Sequence, residues 1–219
     1  MSQVQDRNVS PTDLSPRGER GYRGIHNIPV YARIAIPVLT LFALVYFGTN
    51  WISSRRTGNY QLYFDWELVI PFVPGMIYIY ASLLVLLLLP AFLLTRQQIR
   101  VLARAMVITL FLAAAIFLLL PTDLGFERPD YVTGYDAVYQ ALYAIELPHN
   151  LVPSLHIASS TLLIAAIHNN TASLWGRLGL VVWCVLICAS VLLVHQHHVL
   201  DVISGLLLGL VTYRLVYLR

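Results

Sequence analysis

The sequence predicts an all-α membrane protein, a six-helix bundle with its N- and C-termini in the cytoplasm. Three observations predict it. The 219 residues are 58% hydrophobic and only 11% charged, whereas a soluble domain carries about a quarter charged residues. Mean hydropathy is +0.70. The apolar residues gather in six runs, at 33–52, 70–94, 100–121, 151–168, 177–194 and 199–217, each near the ~20 residues that carry a helix across the hydrocarbon core.

Residues 1–28, rich in Ser, Pro, Gly, Asp and Arg, read as a disordered cytoplasmic tail ahead of one membrane domain at 29–219. They are not read as a signal peptide: the first apolar run begins late, near Ile34, and no small-residue cleavage site follows it. Mostly short turns join the six runs into three helix pairs. The exception is the loop 122–150, in which a short helix is expected near Tyr135–Ala144.

Arginine placement sets the orientation. All 14 basic side chains are arginine, and the absence of lysine excludes Schiff-base and lysine-base chemistry. With the N-terminus inside, 11 arginines lie on the cytoplasmic side and only Arg55, Arg56 and Arg128 outside. The outer loops carry Asp65, Glu67, Asp123, Glu127, Asp130, Asp136 and Glu146, and Trp51 and Trp66 flank the first of them as interfacial aromatics do. The net charge of +3 is small and no basic face is interleaved with aromatics, so the bilayer, not nucleic acid, is the expected partner. Cys184 and Cys188, four apart on one apolar run, read as soft packing residues.

This topology gathers distant polar residues on the extracytoplasmic side, where ionisable groups at membrane depth point to function. His156 lies one turn inside the fourth run, His195, His197 and His198 follow the fifth, and Asp201 opens the sixth. Asp201 alone reads as a charge complementing a helix N-terminus. With His197 four residues before it, it can also fix one imidazole tautomer and leave the other nitrogen as a nucleophile or base. His156, beside Ser154, Ser159 and Ser160, serves equally as a proton donor or as a polar bridge between helices. The helix start around Ser154 offers unpaired N–H groups to a phosphate, and Arg128 offers a guanidinium, although taken alone Arg128 is a loop cation beside Glu127 and Asp130. His149, His195 and His198 supply donors of the kind zinc takes, but no zincin motif accompanies them. His195 and His198 are therefore further candidates for lining the site or bonding at the interface. Gly205 and Gly209, on the face of Asp201, read as a close helix contact.

In this order the residues resemble the type 2 phosphatidic acid phosphatase superfamily. Pro153-Ser154-Leu155-His156 resembles its Pro-Ser-Gly-His motif. Ser190, His197 and Asp201 fall at the spacing of its Ser-Arg-x5-His-x3-Asp motif, and Arg128-Pro129 resembles the end of its Lys-x6-Arg-Pro motif. The resemblance implies a lipid phosphoester substrate and a phosphohistidine formed on His197. It implies that Asp201 orients His197, that His156 protonates the leaving alcohol, and that Arg128, Ser154 and Ser190 bind phosphate. It implies no metal and no cofactor.

Two departures stand out. Pro121 occupies the place of the motif lysine and Val191 that of the motif arginine. The run His195 to Ile203 is similar to the His-x-His-Tyr-x-x-Asp-Val-Ile of sphingomyelin synthases. Fewer cations suit a phosphodiester, which carries one negative charge where a monoester carries nearly two, although His195, His198, Arg55 or Arg56 can stand in for the missing cations. The expectation is thus a lipid head-group phosphotransferase of the sphingomyelin or inositol phosphorylceramide synthase kind, with a lipid phosphate phosphatase as the alternative. A transporter with a histidine relay is the alternative of another class, but it would spread ionisable residues through the bilayer. An intramembrane serine protease using Ser154 or Ser190 lacks a Gly-x-Ser-Gly segment.

Overall fold

A computed structural model describes residues 23–217, and among them there is no strand. Nine α-helices follow in order: α1 Ile28–Ser54, α2 Ile77–Ala81, α3 Leu83–Leu88, α4 Pro90–Leu93, α5 Arg96–Leu119, α6 Asp136–Ile145, α7 Leu155–His168, α8 Leu174–Leu193 and α9 Val199–Tyr217. Helices α2 to α4, with the preceding 3-10 turn Pro74–Met76, form one broken apolar rod, Pro74–Leu93. Pro90, which lacks an N–H to continue the ladder, opens its last piece. Five segments are long and apolar enough to cross a membrane: this rod, α1 with its leading turn, α5, α8 and α9.

The sixth expected span is different. The run 151–168 yields only the 14-residue α7, about 21 Å of helix against a hydrocarbon core of about 30 Å. The reason is its place in the bundle. Nearly every α7 residue is buried, and α7 packs against α3, α5, α8 and α9. A helix wrapped by others meets no lipid, so bilayer thickness does not set its length. Its N-terminus is fixed by Ser154, whose hydroxyl accepts from the Ile157 N–H at 3.3 Å. Residues 146–154, between α6 and α7, are not helical.

Order also begins earlier than the expected tail boundary at 28. Ile25–Asn27 form a 3-10 turn, and the buried Asn27 side chain donates to the Leu94 carbonyl at 3.0 Å. The remainder of the expected tail, residues 1–22, lies outside the described residues. The expected loop helix is present as α6.

Helices α7 and α9 approach closely. A β-carbon on Gly205 would fall 2.6 Å from the Ser154 carbonyl oxygen, and one on Gly209 2.8 Å from that of Ala158. The expected small-residue contact is therefore backbone on backbone. Overpacking of this kind costs about 1–3 kcal/mol, so Gly209→Ala should unfold earlier in denaturant or on heating in detergent. Gly179→Ala, in α8 with nothing within 4 Å of the added atom, should be neutral or slightly stabilising. Equal midpoints for the two variants would contradict the seam.

Candidate active site

The chain between α8 and α9 folds back on itself. His195 takes φ 55, in the left-handed region, and the Val191 carbonyl accepts the N–H groups of Gln196 at 3.0 Å and His197 at 3.1 Å. This turn directs His197 inward. Asp201, 1% exposed, accepts the His198 N–H at 2.7 Å and lies 3.2 Å from His197 Nδ1. A carboxylate at Nδ1 selects the tautomer with the proton there and leaves Nε2 with its lone pair free. The Asp201 carbonyl in turn accepts the Ser154 N–H at 3.1 Å. The two motif segments are thus hydrogen-bonded to each other at the seam of α7 and α9.

His156, in the first turn of α7, stacks on Tyr80 with ring centres 4.1 Å apart. Its Nε2 is buried without a partner. His156 and His197 line one cavity of about 170 Å³, together with Tyr46, Tyr80, Glu146 and Asn150. The buried Asn150, at φ 58, ties this segment to α1: its Nδ2 donates to the Thr49 hydroxyl at 2.7 Å and its Oδ1 accepts from Ser53 at 3.1 Å.

Arg128 approaches from the long loop. Its guanidinium donates to the Glu146 carbonyl at 2.6 Å and the Gln196 side chain at 3.2 Å, and lies 4.7 Å above the Tyr143 ring. Its Nε is buried without a partner. The sequence places Glu146 only among several outer acids. Instead, both its carboxylate oxygens lie 2.6 Å from the Tyr80 hydroxyl. Burial raises its carboxyl above the ordinary range, against the pull of Tyr80, His197 and Arg128. The sequence signal was present: a lone carboxylate between Ile145 and Leu147.

Other candidates stand elsewhere. Ser190 is fully buried and donates to the Ile187 carbonyl within its own helix. Ser154 caps α7, and neither serine lines the cavity. Nor do His195 and His198, which join the loops above it. His198 Nε2 accepts the Gly125 N–H at 3.1 Å, so its proton sits on Nδ1, 3.2 Å from the wholly buried Glu67. The Phe126 ring is stacked between the two imidazoles, 3.9 Å from His195 and 4.5 Å from His198. His195 Nε2 reaches the Ile70 carbonyl at 2.9 Å, and His149 pairs with Asp123 at 2.7 Å. Neither Arg55, over the Trp51 ring, nor Arg56, bonded to the Leu118 carbonyl, stands in for a missing cation at this cavity.

Helices long and apolar enough to cross a membrane mark an integral membrane protein, and sequence comparison makes it an enzyme of the phosphatase and phosphotransferase kind. The sequence comparison narrows the class to a family. Residues 101–219, which hold all three motifs, match the PAP2 superfamily, and the chain belongs to it. Its substrates are lipid phosphoesters. No match was found among curated proteins or among solved structures.

Burial lowers the affinity of His195 and His198 for protons below the ordinary value of 6.5. Their neutral forms therefore contribute stability in full above pH 6.5, and it is lost as pH falls from there through the folded-state values. Melting temperature in detergent should drop over that window, and His195→Gln combined with His198→Gln should flatten the drop. An unchanged pH profile in the double variant would remove the two histidines from this role.

Proposed function

We propose that the chain is a lipid head-group phosphotransferase with six membrane-crossing helices, both termini in the cytoplasm and its site on the extracytoplasmic side. One observation carries the reading: the cavity shared by His156 and His197 is lined by the Glu146 carboxylate and by no arginine, and the nearby Arg128 guanidinium is already bonded to the Glu146 carbonyl and the Gln196 side chain. Such a site suits the single negative charge of a phosphodiester better than the nearly double charge of a monoester. The arginine distribution supports the orientation, and the buried α7 accounts for a sixth, short crossing.

In this mechanism His197 Nε2 attacks phosphorus while Asp201 holds the proton on Nδ1. The leaving alcohol takes its proton from His156, and the head-group phosphate stays on His197. The now neutral His156 removes the proton from an acceptor alcohol, whose oxygen displaces His197 and restores it. Ser154 acts through position: it caps α7 and ties His156 to Asp201. Phosphate binding falls to Arg128, in keeping with its open Nε. That same Arg128, beside Pro129, supports the second reading, a lipid phosphate phosphatase in which water replaces the acceptor alcohol.

Donors labelled in the head-group phosphate separate the two readings. With a lipid acceptor present, label should move to a new lipid; release of only free phosphate or phospho-head-group would exclude the transferase. Wild-type protein should trap label in an alkali-stable, acid-labile form, and His197→Asn should lose it, with turnover down about 10³-fold or more. His156→Asn should retain trapping while turnover falls about 10²–10⁴-fold. Full turnover in His197→Asn would refute the phosphohistidine.

A further inference from the structure

The catalytic cavity has a neighbour. A second chamber, of about 320 Å³, lies between α6 and the α2–α3 rod. That is within the ~300–1,000 Å³ range of small-ligand sites. The two chambers share a wall made of Tyr80, Leu83, His156 and Glu146. They differ in what else they reach. His197 lines only the first. Apart from the shared Tyr80, His156 and Glu146, the second is lined by aliphatic side chains; no arginine lines either chamber. Its rim residues Leu84, Val138 and Ile145 are exposed, on helices that present apolar surface outward.

We infer that this second chamber is the acceptor site, and that its occupant is a neutral long-chain alcohol entering from the bilayer between α3 and α6. The inference rests on the transferase reading above. Three features select this occupant. Aliphatic walls take a hydrocarbon chain. With neither the nucleophile His197 nor a cation among its lining residues, the second chamber suits an uncharged hydroxyl better than a second phosphate ester. The wall places that hydroxyl beside His156, whose buried Nε2 has no other partner, while the nucleophile stays with the donor in the first chamber.

The transfer step balances without a further reactant. The acceptor hydroxyl gives its proton to His156 Nε2 and its oxygen bonds to phosphorus. The phosphorus–nitrogen bond breaks, and its electron pair returns to His197 Nε2. Glu146 and Tyr80, bonded to each other at 2.6 Å, keep His156 stacked between the chambers and act as positioning residues. The leaving and entering oxygens thus take the same place in turn, opposite His197 Nε2 and beside His156, while the chains of donor and acceptor lie in different chambers.

Ala141 lines the second chamber only, and it is exposed, so it can be enlarged with little risk to the fold. Purified protein would be assayed in mixed micelles with head-group-labelled phosphatidylcholine, phosphatidylethanolamine or phosphatidylinositol as donor. Fluorescent ceramide or diacylglycerol would be the acceptor. In Ala141→Trp, transfer should fall at least tenfold relative to phosphoenzyme formation, with a raised KM for the acceptor. Ala141→Leu should give a smaller change in the same direction, and Leu84→Phe at the rim a separate one. Transfer that all three variants leave unchanged would overturn the acceptor site alone. An equal loss of phosphoenzyme and transfer, at an unchanged melting temperature, would assign the chamber to a chain of the donor instead. Hydrolysis without transfer in the wild type would overturn the transferase reading itself, and the acceptor with it.

Discussion

The hydrogen bond from the Ser154 N–H to the Asp201 carbonyl joins two segments 47 positions apart in sequence, and the geometry of the candidate site depends on it. It forms only because α7 and α9 approach to backbone contact, which Gly205 and Gly209 permit. Asp201 then uses its carbonyl to hold the start of α7 and its carboxylate to hold His197. One residue therefore sets both the relative position of the two histidine segments and the tautomer of one histidine. A polar seam of this kind is dependable at membrane depth, where competing water is scarce and an unpaired backbone group costs several kcal/mol.

Above this seam the loops form an aromatic and acidic roof. His195, Phe126 and His198 stack in succession, and Tyr63 stacks on the outer face of His198 at 4.5 Å. Glu67 ties the roof to the start of α9 by accepting the Val199 N–H at 2.7 Å as well as facing His198. The histidine-rich segment thus divides its work: His197 faces the cavity, while its neighbours on either side secure the two outer loops over it.

Much of this was legible in the sequence because it follows from local rules. Long apolar runs became helices, Gly205 and Gly209 became a close contact, and the spacing of His197 and Asp201 became a bonded pair. The shared cavity of His156 and His197 followed from motif order plus topology. What was not legible depended on packing between distant segments. The length of α7 is set by what surrounds it, not by its own composition. Glu146 and Tyr80 are 66 positions apart, and nothing in either neighbourhood announces their contact. His195 and His198 looked like site residues because histidine is costly in lipid. The acceptors they found, Glu67 and the Ile70 carbonyl, lie in a loop more than 120 positions away.

The brevity of α7 carries a consequence for kinetics. Because α7 begins only at Leu155, the segment 146–154 leads into it, and Glu146 and Asn150 of that segment line the cavity with His156. In the proposed cycle, the lifetime of a phosphorylated His197 would then depend on how seldom water reaches it. Partition between hydrolysis and transfer becomes a property of packing density over one helix end. Loosening that cover would shift a transferase toward a phosphatase without altering any group that performs the chemistry.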